Sequence, residues 1–232
     1  MSLNTTIDDT LLEDALLLIE QNFYFLHAGE FFDAVSRETD LSQHYSPHIY
    51  KEFENTTAYI FNPSIIQEIM KDAHQTPANQ PTLFEYFVEF NAIRGICMAM
   101  IEAIRLESPF RNYMKQKLGG RFEDFIDIVS FVRNVLSHNI HAEIRLDEKD
   151  FKGTRERIIR MRRDPNIHFT FDYANDLPEI ATSVEGYGFT CSVDFASLNV
   201  YMPFLDTIPQ WELMKLGELC FNFTIGYKLS SQ

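Results

Sequence analysis

Apolar residues recur at helical spacing from Ile7 to Arg37, at Leu12, Ala15, Leu16, Ile19, Phe23 and Leu26. The spacing predicts an amphipathic helix, and Asp8 and Asp9 near its start suit the positive end of the helix dipole. Three more helices are predicted to open at Ser46-Pro47, Asn62-Pro63 and Ser108-Pro109. In each pair a side-chain oxygen can accept from an orphan backbone N–H, and proline needs no N–H at the first helical position. Thr82 and Glu85 have the spacing of a capping box ahead of an apolar run to about Glu107. Between Asp72 and Pro81 the chain reads as a loop. The helix from Pro109 should stop at Gly119-Gly120, with another following from about Phe122 to Ile140.

After His141 the period changes. Ile167 to Tyr173 alternates apolar and polar residues, and Tyr187 to Phe195 does so in part. Two short strands paired as a ribbon are expected. From Ala196 to Lys228 the helical spacing returns, with breaks expected at Pro203 or Pro209. The fold class is therefore mainly α: a helical bundle with a small two-stranded β insertion before the C-terminal helices. One domain over residues 1–232 is expected, with residues 142–195 forming a basic segment plus the β-hairpin.

The 232 residues are ample for a core without disulfides. A 45% hydrophobic content with 21 Phe excludes a disordered acidic chain. No apolar run of membrane-spanning length and no secretory signal is read, and three scattered cysteines do not make a disulfide framework. A soluble cytoplasmic protein without membrane contact is the expectation. The net charge of −14 argues against a protein that coats nucleic acid, because phosphate binding draws on Lys and Arg. That average hides a contrast. Residues 145–163 hold eight basic and four acidic side chains, so this stretch is +4 and the remainder −18, together −14. Arg155, Arg157, Arg160, Arg162 and Arg163 in it are candidate contacts to an RNA backbone, or a helix face paired with the acidic remainder.

The helix over 122–140 carries the chemistry. With Val129 at zero, Phe122, Phe125, Ile126, Val132, Leu136 and Ile140 form one apolar stripe within about 60°. Ser130, Asn134, Ser137, His138 and His141 lie on one flank, between about 80° and 180°. Arg133 borders the stripe at about 40°, so its guanidinium must run along the core edge to a partner.

Arg133-Asn134-x-x-x-His138 in this helix resembles the signature of the HEPN superfamily, an Arg, a polar residue and a His a few residues on. The resemblance implies a HEPN-like bundle and a metal-independent endoribonuclease of toxin or defence type. It also implies a homodimer with the site shared between two copies, RNA as substrate, and an antitoxin or other protein partner. In that family the RNA 2′-hydroxyl attacks the adjacent phosphate. His138 would then be the general acid/base and Arg133 would neutralise the phosphorane, with Asn134 orienting His138 or the phosphate. Ser130, Ser137 and His141 would support them, with no cofactor or metal. Arg133 and His138 differ by about 140° around one helix, which agrees with a site completed by a second copy. A non-catalytic module that binds a protein or nucleotide through the same flank is the rival. Arg133 would then pair with an acidic neighbour, and His138 would finish the helix. A metal held by His138 and His141 with Glu143 is a third reading.

Overall fold

The computed structural model describes residues 3–40, 49–53, 57–61, 64–77, 82–106, 109–138, 144–180 and 186–231. The elements run α1 (Leu3–Glu38), β1 (Ile49–Phe53), β2 (Thr57–Phe61), α2 (Ser64–Gln75), α3 (Leu83–Arg105) and α4 (Pro109–Leu118). A 3₁₀ turn (Gly119–Arg121) leads into α5 (Phe122–His138) and α6 (Glu148–Arg160). Then follow β3 (Asn166–Asp172), α7 (Tyr173–Asp176), β4 (Gly188–Asp194), α8 (Phe204–Thr207) and α9 (Gln210–Ser230). No helix among the described residues is long and apolar enough to cross a membrane. The protein is thus mainly helical, as the periodicity predicts.

The chain divides into two compact units, residues 1–24 with 90–232, and residues 25–89. In the smaller unit, β1 and β2 pair antiparallel with Ile49 opposite Phe61 and Phe53 opposite Thr57. This corrects the expectation of a helix after Ser46-Pro47. The two runs Ile-Tyr-Lys-Glu-Phe and Thr-Ala-Tyr-Ile-Phe are rich in β-branched and aromatic residues, and three residues separate them, a hairpin pattern. Ser46-Pro47, Asn62-Pro63 and Ser108 lie outside the described residues. The start of α3 also differs from the expected box. The Leu83 N–H donates to the Asp72 carboxylate at 3.0 Å, while the Thr82 hydroxyl donates to buried Asp33. Asp33 in turn accepts from Arg37 at 2.7 Å.

The larger unit holds the functional candidates. Gly119 adopts φ +54°, a left-handed conformation that ends α4 as the Gly119-Gly120 pair foretold. The turn delivers the chain directly into α5, which lies deep in the unit. Phe125, Ile128, Val129, Phe131, Val132 and Val135 on it have no solvent exposure. Apolar contact therefore extends well beyond the single stripe the wheel marks. The reason is that α5 is covered on several sides. Phe125 meets Phe169 of β3 and Phe223 of α9, and Phe131 meets Phe195 and Phe204.

The ribbon predicted from alternation is present. β3 and β4 pair antiparallel with Phe169 opposite Cys191 and Ile167 opposite Val193. Ile167, Phe169, Phe171, Phe189, Cys191 and Val193 are buried on one face, while His168, Thr170 and Ser192 face out. The period of two thus seats a whole apolar face at once. The C-terminal breaks fall at both prolines, Pro203 before α8 and Pro209 before α9.

Candidate functional site

α5 and α6 are bound together by charge as well as by packing. Asp127 has no solvent exposure, yet it takes Arg157 and Arg163 on its two carboxylate oxygens, each at 2.6 Å. Arg157 also reaches Glu123 at 3.0 Å, and Arg163 pairs with Asp124. Burial pushes the Asp127 carboxyl above its usual range, and the two guanidiniums oppose that push. Arg155 is likewise committed inward. It donates to the carbonyls of Phe195 and Leu198, both at 2.6 Å, and lies over the Phe151 ring. Of the five arginines singled out in the basic stretch, Arg160 and Arg162 are exposed, and Arg155, Arg157 and Arg163 are half-buried. The +4 stretch owes much of its charge to side chains that grip the acidic first turn of α5.

The motif residues sit at the other end of this helix pair. The Nε and Nη2 of Arg133 donate to the Asn134 carboxamide oxygen at 3.2 and 2.6 Å. The Asn134 amide donates to the main-chain carbonyl of Asp150 at 3.3 Å. Nδ1 of His138 lies 2.9 Å from Oδ1 of Asp150. Asp150 has no solvent exposure, whereas the His138 side chain is 38% exposed. The other Asp150 oxygen accepts from the Asp147 N–H at 2.8 Å, which caps α6. Arg133, Asn134 and His138 therefore belong to one hydrogen-bonded chain, and Asp150 is its hub.

Asp150 went unmarked in the sequence. Its signal was present as Asp147-Glu148-Lys149-Asp150, a capping-box spacing at the start of α6. Asn134 does not touch His138 in this chain of bonds. The buried carboxylate orients the imidazole instead.

No protein-family model, curated protein or solved structure matches this chain.

The polar flank of α5 divides. Ser130, Arg133 and Asn134 line a cleft of about 450 Å³ with Ile101, Ile104 and Arg105 of α3, Arg111 of α4, and Thr154 and Arg157 of α6. Ser137 is exposed and His138 lies outside the cleft wall, while His141 and Glu143 fall outside the described residues. Arg133 is half-buried, and its guanidinium is held below its usual value by burial first and then by Arg105 beside it. Arginine stays charged under such a shift, so a desolvated cation faces the cleft. Cys97 behind it is buried and pushed up to about 12 by burial, with Arg133 opposing, which marks it as core rather than nucleophile. Among the described residues, no three His, Cys, Asp or Glu side chains cluster as a metal ion would need.

Chemically, the arrangement offers two separated tools. One is an imidazole whose Nδ1 is committed to a buried carboxylate. With Nδ1 carrying the proton, Nε2 is left as a base on the exposed side. The other is a cleft of guanidiniums suited to phosphate.

Proposed function

We propose that this chain is a HEPN-like endoribonuclease that needs no metal ion and works as a homodimer. The observation that carries the reading is the pairing of His138 with buried Asp150 at 2.9 Å. A carboxylate behind an imidazole fixes its tautomer and stabilises the imidazolium that forms when Nε2 takes a proton. In the proposed reaction His138 removes the proton from an RNA 2′-hydroxyl. The 2′-oxygen then bonds to the adjacent phosphorus, the bond from phosphorus to the 5′-oxygen breaks, and the imidazolium returns the proton to that oxygen. A cyclic phosphate and a 5′-hydroxyl are left. Arg133 supplies charge-assisted donors to the phosphorane oxygens. It lines the cleft while His138 does not, so a second copy across a two-fold axis is needed to bring the two groups to one phosphate. Three buried thiols outside any disulfide fit a reducing cytoplasm. A toxin or defence role, with an antitoxin or other partner, rests on the motif alone.

A second reading has its own support. The same bonds from Arg133 to Asn134, and from His138 to Asp150, tie α5 to α6. They suit a non-catalytic module that packs rather than reacts. Incubating purified protein with labelled single-stranded RNA in a chelating buffer separates the two. Cleavage to cyclic-phosphate ends, lost in His138→Ala with the circular dichroism unchanged, supports the enzyme. Equal turnover by both proteins, or none by either, leaves the module.

A further inference from the structure

The turn before α8 holds a residue that its backbone does not favour. Val200 and Tyr201 are the central residues of this turn, which the Met202 N–H closes on the Asn199 carbonyl at 3.4 Å. Tyr201 has φ +72°, in the left-handed region. Turns with a left-handed third residue take Gly or Asn there, because a side chain at that position is strained. The chain follows this rule at Gly119 and Gly186. Arg162, which also has a positive φ, ends α6, where its N–H and that of Arg163 close the last turn on Ile159 and Ile158. Tyr201 ends no helix. Such strain persists only where the surroundings fix it. Here the Tyr201 N–H donates to the Leu146 carbonyl at 2.8 Å, and the Tyr201 carbonyl accepts from Arg145 at 3.2 Å. The Leu146 N–H donates to the Met202 carbonyl at 2.9 Å.

The tyrosine ring is not packed in return. Tyr201 is 74% exposed and Val200 beside it is 41% exposed. The backbone that fixes Tyr201 is also the backbone behind the histidine. Asp147 follows Leu146 directly, and its N–H donates to Asp150, whose other oxygen holds His138 at 2.9 Å. Covalent dimensions along this path bound the distance from the Tyr201 nitrogen to Nδ1 of His138 at about 13 Å. Unstacked RNA bases are held by aromatic faces, and stacking accepts any base. From this juxtaposition we infer that Tyr201 is a stacking platform for an unpaired RNA base beside the phosphate that His138 serves. The platform selects single-stranded over duplex RNA. Its place next to the reacting phosphate rests on the ribonuclease reading, whereas the stacking itself needs no cleavage.

Fluorescence anisotropy of the full chain carrying His138→Ala tests it, with a labelled unstructured RNA oligonucleotide and the same sequence annealed as a duplex. The single strand is expected to bind more tightly than the duplex. Adding Tyr201→Gly should weaken single-strand binding about tenfold or more, as loss of a base–aromatic contact does, whereas Tyr201→Phe keeps the ring and should keep the affinity. Glycine also relieves the left-handed strain, so Tyr201→Gly should melt at or above the temperature of its parent. A platform kept for a ligand loses binding while stability holds or rises, and a structural tyrosine does the reverse. Weaker binding in Tyr201→Gly supports the platform even if the wild type cleaves nothing. Cleavage by the wild type, with the same rate and affinity in Tyr201→Gly, overturns the platform and leaves the enzyme, so the two readings fail separately. Absence of single-strand binding, equal affinity for strand and duplex, or a lower melting temperature in Tyr201→Gly also overturns the inference.

Discussion

Asp150, at the first turn of α6, has no solvent exposure and holds Nδ1 of His138 at 2.9 Å from across the helix pair. One carboxylate oxygen faces the imidazole and the other accepts from the Asp147 backbone. The group that caps α6 is thus the group that orients the histidine.

Asp150→Asn separates those two duties. An asparagine keeps an acceptor for one partner and loses the charge that favours imidazolium. On the proposed mechanism RNA cleavage falls about 10²-fold or more, because the amide no longer balances the charge that forms on the imidazole during proton transfer. His138→Ala removes about 10² to 10⁴ of the rate with little loss of stability. The check is the rate of RNA cleavage beside a thermal melt of each variant. An unchanged cleavage rate in Asp150→Asn would sink the orienting role.

Asp127→Ala should be the most damaging single change at the α5–α6 junction. It leaves Arg157 and Arg163 facing each other without their shared carboxylate in a buried setting. Removing one partner of such a pair costs about 3–5 kcal/mol. Urea unfolding would read this as a lower midpoint. A loss below about 1 kcal/mol would show that water already screens the cluster.

Acid should loosen the ribbon's attachment to α4. Burial would raise the carboxyls of Asp176 and Glu179, but Arg121 holds Asp176, and Lys117 and Tyr113 hold Glu179, below their usual values. A folded value below the unfolded one means stability that is complete above the unfolded value and lost as pH falls through the folded one. Stability should therefore decline in acid below about pH 4, the usual carboxylate range. The decline should be shallower in an Asp176→Asn, Glu179→Gln double variant that already lacks both charges. Urea midpoints from pH 7 to pH 3 measure it, and identical slopes in both proteins would refute it.

The thiols should be silent in the native state. Burial pushes Cys97 and Cys191 up to about 12 and Cys220 well above its usual value. Because the thiolate is the reactive form, an alkylating reagent at pH 8 should modify none of them quickly. All three should react once urea unfolds the chain. Rapid modification of Cys97 in the native protein would show that the wall behind Arg133 opens.

Sequence alone settled what local periodicity can encode. The spacing of apolar residues marked α1, α3, α5 and α9, and strict alternation marked β3 and β4. Gly119 ended α4 because only a left-handed residue was needed there. The same wheel placed Arg133 and His138 on different sides of α5. Periodicity did not reveal β1 and β2, where a proline cap signal competed with two short aromatic runs. Nor did it reveal the partners. Asp150 lies 12 residues from His138, Arg157 lies 30 from Asp127, and the cleft draws on four helices. Such pairs depend on how one helix is rotated and shifted along another, which is set by packing of the whole core. Tertiary structure therefore decided which arginines of the basic stretch remain available to a ligand, and which carboxylate stands behind the histidine.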